Sequence, residues 1–235
     1  MLTILSFGEG GWGDELLRGL VVTVQLAIVT LPCGLIIGFA IALLSTSHLL
    51  VLRKVGYGYS TIMRGMPEIL TLFLVYNGIG LLLTRLVLAL GLTAEQFEFG
   101  PFTAGVVALS MVFGAFASEV LRGAMNALDP GQMEAGRAIG MRKTQIFFRI
   151  QLPQLWRFAL PGLGNLWISL IKDTALVSII SLNDLMRMTK VAVGVTKKPF
   201  TFYLTACLIY WCLCVISEVV LAWMEARANV SQRRA

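Results

Sequence analysis

The sequence predicts an all-α, polytopic membrane protein that forms a single domain over residues 1–235, with five transmembrane helices. Three observations carry this reading. Of the 235 residues 57% are hydrophobic and only 14% charged, with a mean hydropathy of +0.80, whereas a soluble domain is about a quarter charged. Several apolar runs meet or exceed the roughly 20 residues that a helix needs to cross a bilayer core. The basic residues gather in particular connections between those runs, as topogenic charges do.

The first span covers residues 16–44 and follows an acidic, Gly-rich stretch containing Glu9, Asp14 and Glu15. It is too long for a signal-peptide core and is read as a retained span. The second runs over residues 57–90, with an interrupted start at Met66-Pro67-Glu68. The third covers 101–121, the fourth 158–182 and the fifth 200–224. No internal repeat is detectable. Arg53, Lys54 and Arg64 lie in the first connection, and Arg122, Arg137, Arg142, Lys143, Arg149 and Arg157 in or beside the long third one. The tail adds Arg227, Arg233 and Arg234, while the second connection carries only acids, Glu95 and Glu98. This pattern places the amino terminus outside and the long loop and tail in the cytoplasm. The connection 183–199 dissents, because Arg187, Lys190, Lys197 and Lys198 sit where parity expects an external segment.

The net charge of +6 is accounted for by those loops and points to no nucleic-acid partner. Cys33, Cys207, Cys212 and Cys214 lie inside apolar runs without a CxxC pair and read as small core residues. His48 is the single histidine, too little for a transition-metal site.

The long loop has legible local physics. Asp129 suits an N-cap, Pro130 the first helical position, and Gln132 the place of a capping-box partner. The helix is expected to run to Ile139 and stop at Gly140, a residue type that accepts a left-handed conformation. Thr144 is then expected to cap a second helix ending at Leu152, because Pro153 follows. The plain reading is a hairpin that joins two spans.

Glu134-Ala135, Gly140 and Ile150-Gln151-Leu152-Pro153 stand at spacings that resemble the signature loop of the inner-membrane permeases of binding-protein-dependent ABC importers. In that pattern Glu-Ala-Ala is followed after three residues by Gly, and after nine more by Ile-x-Leu-Pro. Gly136 replaces the second Ala and keeps the side chain small. Met63-Arg64-Gly65-Met66-Pro67-Glu68, Ser118-Glu119-Val120-Leu121-Arg122-Gly123-Ala124 and Ile171-Lys172-Asp173-Thr174-Ala175-Leu176 are similar to the polar amino-acid permeases of the histidine, glutamine and octopine type. The resemblance implies the type I importer permease fold and a multi-pass place in a bacterial inner membrane. It implies a cytoplasmic coupling helix within residues 129–153, seated on an ATPase through Glu134, Ala135, Gly136 and Gly140. It also implies partners: a related permease subunit in a heterodimer, two ATPase subunits and a periplasmic solute-binding protein.

The chain has no GxxxxGK[ST] loop. It is therefore expected not to be an enzyme and to hold no cofactor, with ATP and magnesium on the partner ATPase. Inside the membrane an ionisable side chain costs about 2.5 to 3.5 kcal/mol on insertion scales. Asp173, Lys172, Thr174, Glu119 and Glu68 are accordingly candidates for the substrate path. For Glu119 a local pair with Arg122 at i+3 is the competing reading. Lys172 and Asp173, as helix neighbours, do not face each other. The solute class is basic amino acids or opines, with glutamine-type polar amino acids as the alternative. A membrane-embedded enzyme would need a catalytic cluster, and a secondary transporter would show repeats and matched broken helices.

Overall fold

The computed structural model describes residues 4–8, 10–89 and 99–229, and the described residues form helices without strands. Eight helical elements follow one another. They are α1 (Gly13–Ser45), α2 (Leu50–Gly65), α3 (Glu68–Ala89), α4 (Pro101–Asn126), α5 (Pro130–Ala138), α6 (Lys143–Ile180), α7 (Leu185–Thr196) and α8 (Pro199–Asn229). Five of these, α1, α3, α4, α6 and α8, are long and apolar enough to cross a membrane. Glu95, Glu98, Arg233 and Arg234 lie outside the described residues.

The centre of the bundle is α4, whose crossing window is two-thirds buried. Its small residues allow this. A Cβ placed on Gly38 of α1 would lie 2.8 Å from the Ala117 Cβ and 3.1 Å from the Gly114 oxygen, and one on Gly34 would meet Phe113 at 2.6 Å. Gly34 and Gly38 form a GxxxG step, the spacing that lets two helix backbones approach within a membrane, where packing rather than water drives association. Leu26, Ala42, Leu109, Phe113, Ala117 and Leu163 fill the common core of α1, α4 and α6. Ser110 adds a hydrogen bond by donating to the Thr30 carbonyl oxygen at 3.3 Å.

The second crossing is broken where Pro67 stands. Met66 is driven to an extended conformation (φ −89°, ψ 140°), as a residue preceding proline tends to be, and the helix restarts at Glu68. Polar contacts fix α2 against α4: the Tyr59 hydroxyl donates to the Met111 carbonyl oxygen at 2.9 Å, and the Ser60 and Ser118 hydroxyls pair at 2.9 Å. α3 carries a π-helical turn at Leu74–Ile79, which contains Tyr76 and Asn77.

The segment 183–199 adds no sixth span among the described residues. It contains the short α7, ~18 Å long and too short to cross. Leu185, Thr189 and Ala192 bury one side of α7. Asp184 caps it by accepting from the Arg187 amide at 3.0 Å, and the Thr23 hydroxyl of α1 accepts from the Leu185 amide at 3.1 Å.

The structure corrects three expectations. Thr144 is not a cap: Arg142 stands at the N-cap, and its amide donates to the Gln145 side chain at 2.8 Å. The helix after the Gly turn does not end at Leu152, because α6 continues through a π-helical turn at Phe147–Gln151 into the fourth crossing. A widened turn of this kind relieves the clash between a proline ring and the carbonyl one turn earlier, so Pro153 is accommodated. Cys33, Cys207 and Cys212 are exposed rather than packed in the core. A thiol is apolar enough for a lipid-facing position.

Candidate functional site

The break at Pro67 sets Glu68, half-buried, at the first residue of α3. There Glu68 lines a cavity of about 130 Å³ with Val112, Phe113 and Phe116 of α4 and Leu166, Ser169 and Asp173 of α6. Phe113 is the thirteenth residue of the 26-residue α4, so the cavity lies near mid-depth. Asp173 is the last residue of the regular α-helix in α6, which tightens into a 3-10 turn at Thr174–Ile180. Glu68 and Asp173 thus face one cavity from two different helices. Glu68 sits in the first turn of a helix, where the partial positive charge of the amides offsets a carboxylate. The remaining walls are apolar or aromatic, apart from the Ser169 hydroxyl.

The other path candidates are placed elsewhere. Thr174 is fully buried and donates to the Ile171 carbonyl oxygen at 2.6 Å. Lys172 lines a separate cavity between α6, α7 and α8, with Tyr203, Cys207 and Tyr210. Glu119 joins a charged cluster that bridges α2 and α4. It pairs with Arg122 one turn on and with Arg64 at 3.5 Å, and the Arg122 guanidinium lies 5.2 Å above the Tyr57 ring. The structure thus brings Glu68 and Asp173 together and leaves Glu119, Lys172 and Thr174 outside their cavity.

Phe113, Phe116 and Ser169 escaped the sequence reading. The aromatic residues were one helical turn apart in an apolar span, a pattern shared with ordinary packing.

The hairpin α5–α6 is held by a cap, a glycine turn and close packing. The Asp129 side chain accepts from the Gly131 amide at 2.9 Å, which caps α5. Gln132 does not reach back as a capping-box partner; its side chain instead accepts from Gln154. Gly140 has φ +81°; its amide donates to the Arg137 oxygen and the Met141 amide to the Gly136 oxygen, both at 3.0 Å. This is the Schellman arrangement, which satisfies the last carbonyls of a helix. Gly136 is the buried residue of α5, and a Cβ there would meet Ile150 at 3.0 Å and Ile146 at 3.3 Å. Its small size therefore closes the hairpin, while Glu134 and Ala135 remain on the surface of α5.

A five-crossing bundle with a mid-depth acidic cavity and a projecting two-helix knob defines the transmembrane part of a transport system. Residues 30–230 match the model of the binding-protein-dependent transport system inner membrane component family, and the chain belongs to that family. It is 44% identical over 230 residues to the nopaline transport system permease protein NocQ of Agrobacterium fabrum, covering 97% of each chain. It is 42% identical over 223 residues to the arginine ABC transporter permease protein ArtQ of Escherichia coli, covering 90% of this chain and 94% of that one. Among solved structures, an amino acid ABC transporter crystallised with histidines superposes with a TM-score of 0.77 at 30% identity, covering 92% and 95% of the two chains. The MetNI methionine ABC transporter shares the fold, with a TM-score of 0.74 at 17% identity over 94% and 99%.

Proposed function

We propose that the chain translocates basic amino acids or opines by alternating access, with the Glu68–Asp173 cavity as the point where the cationic group of the solute rests. The observation that carries this is the acid pair itself. Two carboxylates in one low-dielectric cavity disfavour each other's charge, and a cation between them relieves that repulsion. Burial of this kind is costly unless a partner is supplied. The solute is such a partner, and the similarity to nopaline and arginine permeases supports the class.

Energy would come from two ATPase subunits that hold ATP and magnesium. The hairpin bearing Glu134, Ala135, Gly136 and Gly140 would seat on one of them, in the cytoplasm. A related permease subunit would complete the path as a heterodimer, and a periplasmic binding protein would deliver the solute. The amino terminus would lie in the periplasm and the tail in the cytoplasm.

The test is import by the reconstituted complex with the cognate binding protein. Asp173→Asn and Glu68→Gln should each reduce import of a basic solute more than that of a neutral one. Equal losses that follow the amount of assembled complex would assign the acid pair a structural role instead.

A further inference from the structure

On the side of the bundle away from the acidic cavity, three apolar grooves meet at Trp156. One, of about 360 Å³, runs between α1, α6 and α8 along Leu31, Leu163 and Val220. A second, of about 600 Å³, runs between α1 and the π turn of α6 along Ile36, Phe39 and Phe148. The third, of about 650 Å³, opens at the hairpin end of the bundle and is lined by Gln154, Trp156, Arg157 and Ala228.

Depth and charge define what fits. Leu35, shared by the first two grooves, is ten residues from the end of α1. That is ~15 Å, the thickness of one leaflet's hydrocarbon. The mouth is basic and aromatic. Arg149, Arg157 and Arg227 stand at these ends of α6 and α8, with Glu225 as an acid near them. The Arg227 guanidinium lies 5.2 Å from the Trp223 ring centroid, and Trp156 and Trp223 are 45% and 60% exposed. Tryptophans at such positions mark the headgroup level, and basic pockets between helices there receive anionic headgroups.

We propose that one anionic glycerophospholipid of the hairpin-side leaflet occupies this seam. Its two acyl chains lie on either side of Trp156, in the grooves along Val220 and Phe39, and its phosphate rests at Arg157. The lipid fills the space behind the π turn Phe147–Gln151, where the hairpin joins the fourth crossing. It thereby supports the root of the hairpin without touching the acidic cavity.

The experiment uses the purified complex with its ATPase subunits, equilibrated with equal amounts of phosphatidylglycerol and phosphatidylcholine and read by native mass spectrometry. The wild type should retain phosphatidylglycerol preferentially, by about fivefold for one arginine beside a net anionic headgroup. Phosphatidylcholine offers the same phosphate but adds a choline cation that the arginine repels. Arg157→Gln should bring the ratio to parity, and Arg157→Lys should keep it. Trp156→Ala should lower retention of both lipids while the ATPase subunits still co-purify. Equal retention of the two lipids by the wild type, or a preference untouched by Arg157→Gln, would overturn the assignment. So would a disulfide from Trp156→Cys to the neighbouring permease, which would place a protein on the seam. The readout involves no solute, so failure of the basic-solute reading would leave this result unchanged.

Discussion

Glu68 opens the helix that restarts after Pro67, Asp173 closes the regular α-helix of α6, and both side chains line one cavity near mid-depth. The pairing rests on two departures from regular helix, the break at Met66-Pro67 and the 3-10 turn from Thr174. Restoring either acid to an amide leaves shape and volume nearly unchanged. The Asp173→Asn and Glu68→Gln variants therefore test charge alone, through the ratio of basic to neutral solute imported per assembled complex.

The Gly140 turn should be intolerant of a side chain. Its φ of +81° belongs to the left-handed region, where a residue with a Cβ pays about 1 kcal/mol or more, and more still if β-branched. Gly140→Val should distort the hairpin, and Glu134→Lys should alter its surface charge. Both should lower import while the protein still inserts. Normal import with stoichiometric ATPase co-purification in both variants would reduce the hairpin to a connector.

The α1–α4 contact should fail by overpacking. A side chain at Gly38 meets Ala117 and the Gly114 backbone, which cannot move as a flexible side chain would. Gly38→Val should cost roughly 1–3 kcal/mol, visible as a lower Tm of the purified complex. A Tm equal to wild type would show that the two helices separate without penalty.

Asp184 lies outside the five crossings, fully buried, and burial pushes its carboxyl up to about 6 from an ordinary 3.8, against the opposing effect of hydrogen bonds from the α7 amides. A raised folded pKa means that the fold binds this proton more tightly than the unfolded chain does. The contribution is full below about 3.8 and is lost as pH rises through about 6. Asp184→Asn keeps a capping side chain and removes the charge. It should raise Tm at pH 8 and leave it nearly unchanged at pH 4. The opposite pattern would show that the carboxylate, not the acid, is the form α7 needs.

Topology is checked by single cysteines in a background lacking Cys33, Cys207, Cys212 and Cys214. A cysteine at Lys197 should react with an impermeant reagent in spheroplasts, and one at Lys143 only after lysis. Labelling of the Lys143 position in intact spheroplasts would invert the orientation.

Much of this was readable from local chemistry. Gly140 announced its turn, because few residues other than glycine accept the conformation it holds, and Asp129-Pro130 announced the start of α5. Pro153 misled, since the chain passes through a π-helical turn just before it and the helix runs on into the fourth crossing. Glu119 carried two readings because spacing alone permits the Arg122 pair, and spacing cannot say whether Arg64 also reaches it.

By itself the sequence determined the class of molecule, the five crossings and the hairpin, because hydropathy, run length and turn residues act over neighbouring positions. The tertiary structure decided which charges share a cavity. Glu68 and Asp173 are brought together by the approach of α4 to its neighbours through small residues, and Lys172, one position away, is turned into another cavity by the 100° step of the helix. That approach depends on contacts between residues far apart in the chain, and no local pattern encodes them.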